Sequence, residues 1–301
     1  MKRTFFITIV IALSTTTVFA QTATVLKQEI QQVIKTKKAD IGLAVYGLES
    51  LDTLSINGNK HFPMQSVYKF HIALAVLDQV DKGKLSLSQK LHLTKSDLLP
   101  GTYSPLRDKY PDGTSEISLA EVIQYTVSRS DNNGCDILLR LIGGPKTAND
   151  YMHKIGIKDI SIQASEEEMH KAWDVQFTNW TTPNATTELL KIFYNRKILS
   201  KKSHDFLWKT MLETSTGKNR IKGQLPAGTL VAHKTGTSDT NAGITAAIND
   251  IGIVTLPNGK HFAIAVFVSN SKEDEQTNEK IISDISKLIW DYCIKKKKKK
   301  K

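Results

Sequence analysis

The spacing of apolar positions divides the chain into three stretches. Thr24 to Lys35 shows helical periodicity. Ile41 to Leu48 and Leu51 to Ile56 read as two strands joined by a short turn, and Gly58-Asn59 breaks the pattern. From Ser66 the spacing predicts a long amphipathic helix that stops at Gly83, where a C-cap is expected. The middle, from about Ser118 to about Leu212, is predicted to be mostly helical, with loops rich in Gly, Pro, Asp and Asn. The last third turns strand-like at Gly228 to Thr235, Gly243 to Asn249 and His261 to Ser269. Leu256-Pro257-Asn258-Gly259-Lys260 forms the hairpin turn before the last of these. Ile281 to Ile294 closes the chain as an amphipathic helix.

Strands at both ends and helices between them predict an α/β fold. The terminal strands pair in one antiparallel sheet flanked by the terminal helices, and the middle forms an inserted all-α lobe. The expected catalytic domain spans residues 21–294, with an α/β lobe over about 21–62 and 213–294 and a helical lobe over about 63–212. A cleft between the lobes is the natural substrate site.

The first twenty residues change this picture. Lys2 and Arg3, the apolar run Phe5 to Leu13 and the small-residue exit Val18-Phe19-Ala20 read as a secretory signal cleaved after Ala20. The run is too short to span a membrane, so an exported, periplasmic monomer without an anchor is expected. The net charge of +11 invites a nucleic-acid reading. However, Lys295 to Lys301 supply seven of these charges and Lys2 and Arg3 two more, leaving the body near neutral. The lysine run is read as a solvated, disordered tail. Cys135 is expected to be a small buried hydrophobe, and no pairing with Cys293 is indicated. No Cys-x-x-Cys or His-Glu-x-x-His motif is present, so neither a metal nor an organic cofactor is expected.

Candidate chemistry begins at Ser66-Val67-Tyr68-Lys69. Residues i and i+3 share a helix face, so Lys69 can reach Ser66 and help take its proton. A helix N-terminus also favours developing negative charge. The spacing alone says little, since Ser215 to Lys218 and Ser269 to Lys272 repeat it; only the first opens a long apolar helix. Ser130-Asp131-Asn132 follows the helical segment Leu119 to Val127. It offers a hydroxyl to relay a proton and an amide to hold a substrate, or else a polar turn and N-cap. Lys234-Thr235-Gly236-Thr237 ends a strand-like run. Lys234 and the threonine hydroxyls suit a carboxylate. Gly236 lets a ligand approach the backbone.

These three motifs, in this order and setting, resemble class A β-lactamases and penicillin-binding proteins. The resemblance runs from about Gln21 to about Ile294, nearest the extended-spectrum branch that includes the PER, VEB and TLA types. It implies hydrolysis of penicillins and cephalosporins through a Ser66 acyl-enzyme. Ser66 and Thr237 N–H groups form the oxyanion hole, and Ser130 protonates the departing nitrogen. It also singles out Glu166, first of three glutamates in what reads as an acidic loop, as the residue that activates the deacylating water. The family pattern Glu-x-x-Leu-Asn here ends in Met169-His170, which leaves open how the water is held. Arg220 is either a partner for the substrate carboxylate or a surface arginine. Tyr103 is placed at the cleft mouth by resemblance. His170 lies beside the site, where it and His233 are expected to make structural hydrogen bonds.

A penicillin-binding peptidase or a β-lactam sensor would share the three motifs. Glu166 argues against the peptidase, and the lack of a visible anchor against both. A non-catalytic envelope-binding protein would leave the ordered motifs unexplained.

Overall fold

The computed structural model describes residues 23–298, except Ser115. The signal segment 1–20 and the last three lysines lie outside the described residues. Helix α1 covers residues 23–35. Strands β1 (Asp40–Gly47), β2 (Thr53–Ile56) and β3 (Phe62–Pro63) lead to helix α2 (Tyr68–Asp81). Then come β4 (Lys90–His92), α3 (Pro105–Lys109), β5 (Glu116–Ser118), α4 (Leu119–Ser128), α5 (Asn132–Ile142), α6 (Pro145–Lys154) and β6 (Ile160–Ser161). Helix α7 (Glu166–Lys171), β7 (Trp180–Thr181), α8 (Pro183–Tyr194) and α9 (Lys201–Leu212) complete the helical middle. Strands β8 (Val231–Thr237), β9 (Thr240–Asn241), β10 (Ile244–Thr255) and β11 (His261–Ser271) precede helix α10 (Glu275–Lys298).

The main sheet is antiparallel in the order β2-β1-β11-β10-β8, with β9 on β10, so the N-terminal hairpin pairs with the C-terminal strands as expected. Alternation along β11 serves two cores. Ile264, Val266 and Val268 pack with Leu26, Ile30, Ile281 and Ile285 of α1 and α10. Ala263, Ala265 and Phe267 join the larger core, which runs on into α2, α4, α5 and α8. Each fully buried side chain of Phe or Leu size in these cores contributes about 1.5–3 kcal/mol.

Four expectations need correction. Helix α2 is not amphipathic: Tyr68 to Leu77 are all buried. Its polar residues Lys69 and His71 face the interior rather than water. Gly83 does end it, at φ +70°. Strand β10 runs on past Asn249 to Thr255, because Asp250 is buried against His233 instead of ending the strand. Helix α10 starts at Glu275 rather than Ile281, capped by Asp274, whose Oδ1 accepts the Thr277 N–H at 2.6 Å. It continues into the lysine run as far as Lys298, where a disordered tail was expected.

Candidate active site

Ser66 sits in a 3-10 turn, Gln65–Val67, that leads into α2. Gln65 adopts φ +47°, a left-handed conformation that costs a non-glycine residue roughly 1–2 kcal/mol. Neighbours hold it there. The Gln65 amide donates to Gln176 Oε1 at 2.5 Å, and Asn249 Nδ2 donates to the Pro63 and Met64 carbonyls at 2.8 and 3.3 Å. Strand β8 lies against the same turn. A Cβ on Gly236 would stand 2.4 Å from the Met64 carbonyl oxygen and 3.2 Å from Gln65 Cβ. The glycine therefore admits the turn that carries Ser66.

Lys69 is buried and reaches Ser66 Oγ at 2.9 Å, the contact its spacing predicts. Its other donors go to the Ser130 carbonyl at 2.8 Å and Asn132 Oδ1 at 2.5 Å. An ammonium has three N–H groups, and all three are engaged. Glu166 Oε1, 3.0 Å from Lys69 Nζ, is thus its counter-charge without sharing a hydrogen bond. Ser130, at φ +60°, turns its hydroxyl to Lys234 Nζ at 2.9 Å. Burial, reinforced by the nearby Lys69 charge, holds the Lys234 ammonium well below the usual lysine range. Of the Ser-Asp-Asn motif, Ser130 and Asn132 line the cleft, while Asp131 caps α5 and receives Gly134 N–H at 2.7 Å and Leu106 N–H at 2.6 Å.

The three glutamates separate because the segment is a short helix, not a loop. Ser165 and Glu168 form a capping box, so Glu168 is used at the helix start. Glu167 pairs with Lys171 at 3.0 Å. Glu166 turns inward, with 11% of its side chain exposed. Asp136 grips this helix from below, its two oxygens accepting the Glu166 and Glu167 N–H groups at 2.8 and 2.9 Å. Burial, then the Glu166 charge, push its carboxyl up to about 6. Asn179 closes the segment, donating to the Ala164 carbonyl at 2.8 Å and to Met169 Sδ at 3.3 Å. Met169 is thereby tied into the segment. The His170 side chain is exposed on the cleft wall and makes no hydrogen bond, whereas a structural bond was expected. His233 does have one, to Asp250 at 3.0 Å.

At the end of β8, Ser238 N–H bonds to the Ala247 carbonyl at 2.9 Å. Alternation along an antiparallel ladder then points Thr237 N–H away from β10, toward the free edge. Arg220 is no surface arginine. It is buried, paired to Glu279 at 3.0 Å, and donates to the Gly236 and Asn249 carbonyls at 3.0 and 3.1 Å and to Thr237 Oγ1 at 2.8 Å. Thr216 and Thr235 join hydroxyls at 2.6 Å.

A cleft of about 750 Å³ gathers Ser66, Tyr103, Ser130, Asn132, Glu166, His170, Arg220, Thr235 and Thr237. Tyr103 is 57% exposed at its rim. Lys69, Lys234 and Gly236 are buried behind its wall. Gln65, Asp136, Gln176, Asn179, Thr216, Asn249 and Glu279 were not singled out from sequence; each is an ordinary polar residue whose partner is distant along the chain. Among the described residues no group of three or more His, Cys, Asp or Glu is placed to hold a metal ion, and no helix is long and apolar enough to cross a membrane.

A nucleophilic hydroxyl, an engaged lysine, a second hydroxyl on a second lysine, and an inward-facing carboxylate together suit acyl transfer to water. Known proteins agree. The family model described as "Beta-lactamase enzyme family" matches residues 25–293. Beta-lactamase VEB-1 of Pseudomonas aeruginosa is 54% identical over 270 residues, 89% of this chain and 90% of its own. Extended-spectrum beta-lactamase PER-1 of the same organism is 45% identical over 271 residues, 90% and 88% of the two chains. The crystal structure of TLA-3 extended-spectrum beta-lactamase aligns with a TM-score of 0.90 at 60% identity, over 90% of this chain and 99% of that one. The chain belongs to the β-lactamase enzyme family, as a class A serine β-lactamase that hydrolyses β-lactams.

Proposed function

We propose that Ser66 carries the acyl group and that the substrates are penicillins and cephalosporins, oxyimino-cephalosporins included, so that the enzyme confers antibiotic resistance from the periplasm as a monomer. The observation that carries this reading is the convergence of Ser66, Ser130, Asn132 and Glu166 on one buried lysine, Lys69. The extended-spectrum names of PER-1 and TLA-3 support the substrate range. We place the lobe boundaries near residues 62 and 212, with the cleft between the lobes.

The substrate carboxylate docks on Lys234, Thr235 and Thr237, with Arg220 behind Thr237. Asn132 holds the side-chain amide, and Tyr103 and His170 flank the mouth. Ser66 Oγ attacks the ring carbonyl, and the C–N bond breaks as the ester forms. The Ser66 proton goes to Lys69, 2.9 Å away, or to Glu166 through a water. Which of the two is the base is disputed for the family. The N–H groups of Ser66 and Thr237 stabilise the oxyanion, and losing one such donor costs about 3 kcal/mol. Ser130, held by Lys234, relays the proton taken from Ser66 to the departing nitrogen, so that Glu166 is a carboxylate for the next step. Glu166 then activates the water that cleaves the ester.

Turnover of the chromogenic cephalosporin nitrocefin tests the reading. Many product equivalents per Ser66 are expected; one stoichiometric burst would assign the chain to a peptidase or sensor. A panel of a penicillin, an oxyimino-cephalosporin and a carbapenem then fixes the range.

A further inference from the structure

Two hydroxyls on β8, Thr235 and Thr237, face the cleft, and each meets a neighbouring residue of the same cleft wall. Arg220 Nη2 donates to Thr237 Oγ1 at 2.8 Å. A guanidinium cannot accept a hydrogen bond, so Thr237 keeps its own proton for another acceptor. Thr235 Oγ1 meets Thr216 Oγ1 at 2.6 Å, and between two hydroxyls either can donate.

The loop that presents Thr216 is tightly fixed. Thr214 Oγ1 donates to the His233 carbonyl at 2.7 Å, and Ser215 N–H donates to the Ser128 carbonyl at 2.9 Å. Gly217 has φ +68°, and a Cβ there would stand 2.5 Å from Thr235 Cγ2. The turn is pressed against Thr235 so closely that only glycine fits, which brings the half-buried Thr216 hydroxyl onto its partner.

We propose that Thr216 is a positioning residue that points the Thr235 hydroxyl proton at the substrate carboxylate, making Thr216 a determinant of selectivity for anionic substrates. The proposal rests on the reading of this strand edge as the carboxylate site. One proton lies between the two oxygens. When Thr235 donates to the carboxylate, Thr216 must donate to Thr235. The result is a one-way chain, Thr216 to Thr235 to carboxylate, parallel to Arg220 to Thr237 to carboxylate. Each link polarises the next, so the outer donor is stronger than an isolated hydroxyl.

The test compares a chromogenic cephalosporin as free acid and as methyl ester, on wild type, Thr216→Val and Thr216→Ser. Valine keeps the volume and removes the hydroxyl; serine keeps the hydroxyl. For the acid, Thr216→Val should raise KM about tenfold, the scale of one hydrogen bond to a charged group, with kcat within about twofold. For the ester its KM should not change, and Thr216→Ser should return the acid KM to within about twofold of wild type. An equal rise in KM for acid and ester would show a merely structural role and overturn the proposal, as would an unchanged acid KM. If Thr216→Val does not fold, Thr216→Ala is read the same way. A wild type that favours the acid while Thr216→Val keeps that preference removes Thr216 alone. A wild type indifferent to esterification removes the carboxylate reading itself.

Discussion

The Asp136 carboxylate binds the backbone N–H of Glu166 at 2.8 Å and, with its other oxygen, that of Glu167 at 2.9 Å. It thus supplies an anion to the first turn of α7, where free N–H groups and the helix dipole favour one. The contact fixes where the Glu166 side chain starts, and so where its carboxylate meets Lys69. Asp136→Leu leaves two N–H groups unpaired, at about 1–3 kcal/mol each if they stay buried. Deacylation should slow by more than tenfold while acylation slows less, read by rapid-quench intact mass after mixing with a cephalosporin. Equal slowing of both steps would mean that Asp136 supports the whole cleft rather than Glu166.

Glu166→Ala removes the counter-charge of Lys69 and the group assigned to the water. An acyl-enzyme should accumulate, visible as a mass increase of one substrate-derived acyl group on Ser66. Ser66→Ala should show neither adduct nor turnover. Rapid deacylation by Glu166→Ala would take Glu166 out of its role.

The contrast between Glu166 and Asp136 shows what the sequence discloses. Ser66 and Lys69 were legible because helical spacing brings them together at the start of a long apolar helix and two further motifs follow in order, and their contact is local. Glu166 could be told from Glu167 and Glu168 only by resemblance, since the capping box that diverts Glu168 requires knowing where the helix starts. Asp136 and Asn249 were not legible: they hold backbone atoms 30 and 185 residues away, and backbone partners leave no mark on composition. Helix α2 was misread for a related reason. Lys69 and His71 look like a polar face, but both point inward, and periodicity cannot distinguish a wet polar residue from a buried one.

Gly236 gives a steric prediction. Gly236→Ala places a methyl 2.4 Å from the Met64 carbonyl oxygen, a backbone atom that cannot swing aside. Either β8 or the Ser66 turn must shift, and overpacking of this kind typically costs about 1–3 kcal/mol. The thermal midpoint should fall by several degrees, and kcat/KM on nitrocefin by tenfold or more, because the shift lies between the oxyanion donors and the nucleophile. Unchanged kinetics with a lowered midpoint would show that the turn yields without moving Ser66.

His71 provides a pH prediction that is independent of the cleft chemistry. It is buried in α2, its Nε2 has no hydrogen-bond partner, and its Nδ1 meets the Val67 carbonyl at 3.3 Å. Burial pushes it down to about 4 from the ordinary 6.5, and the Val67 carbonyl only partly offsets this. The unfolded chain therefore takes up a proton near pH 6.5 that the folded chain refuses until near pH 4. Stability falls as pH drops through that window and levels off below it, because the unfolded state binds the extra proton. The shift corresponds to about 3 kcal/mol as an upper bound. Urea unfolding of wild type and His71→Leu at steps from pH 7 to pH 4 isolates this contribution. The wild type should lose the extra stability between about pH 6.5 and 4, and the variant should not, whatever its absolute stability at pH 7. Parallel curves for the two proteins would mean that His71 is protonated in the folded state as readily as in the unfolded one.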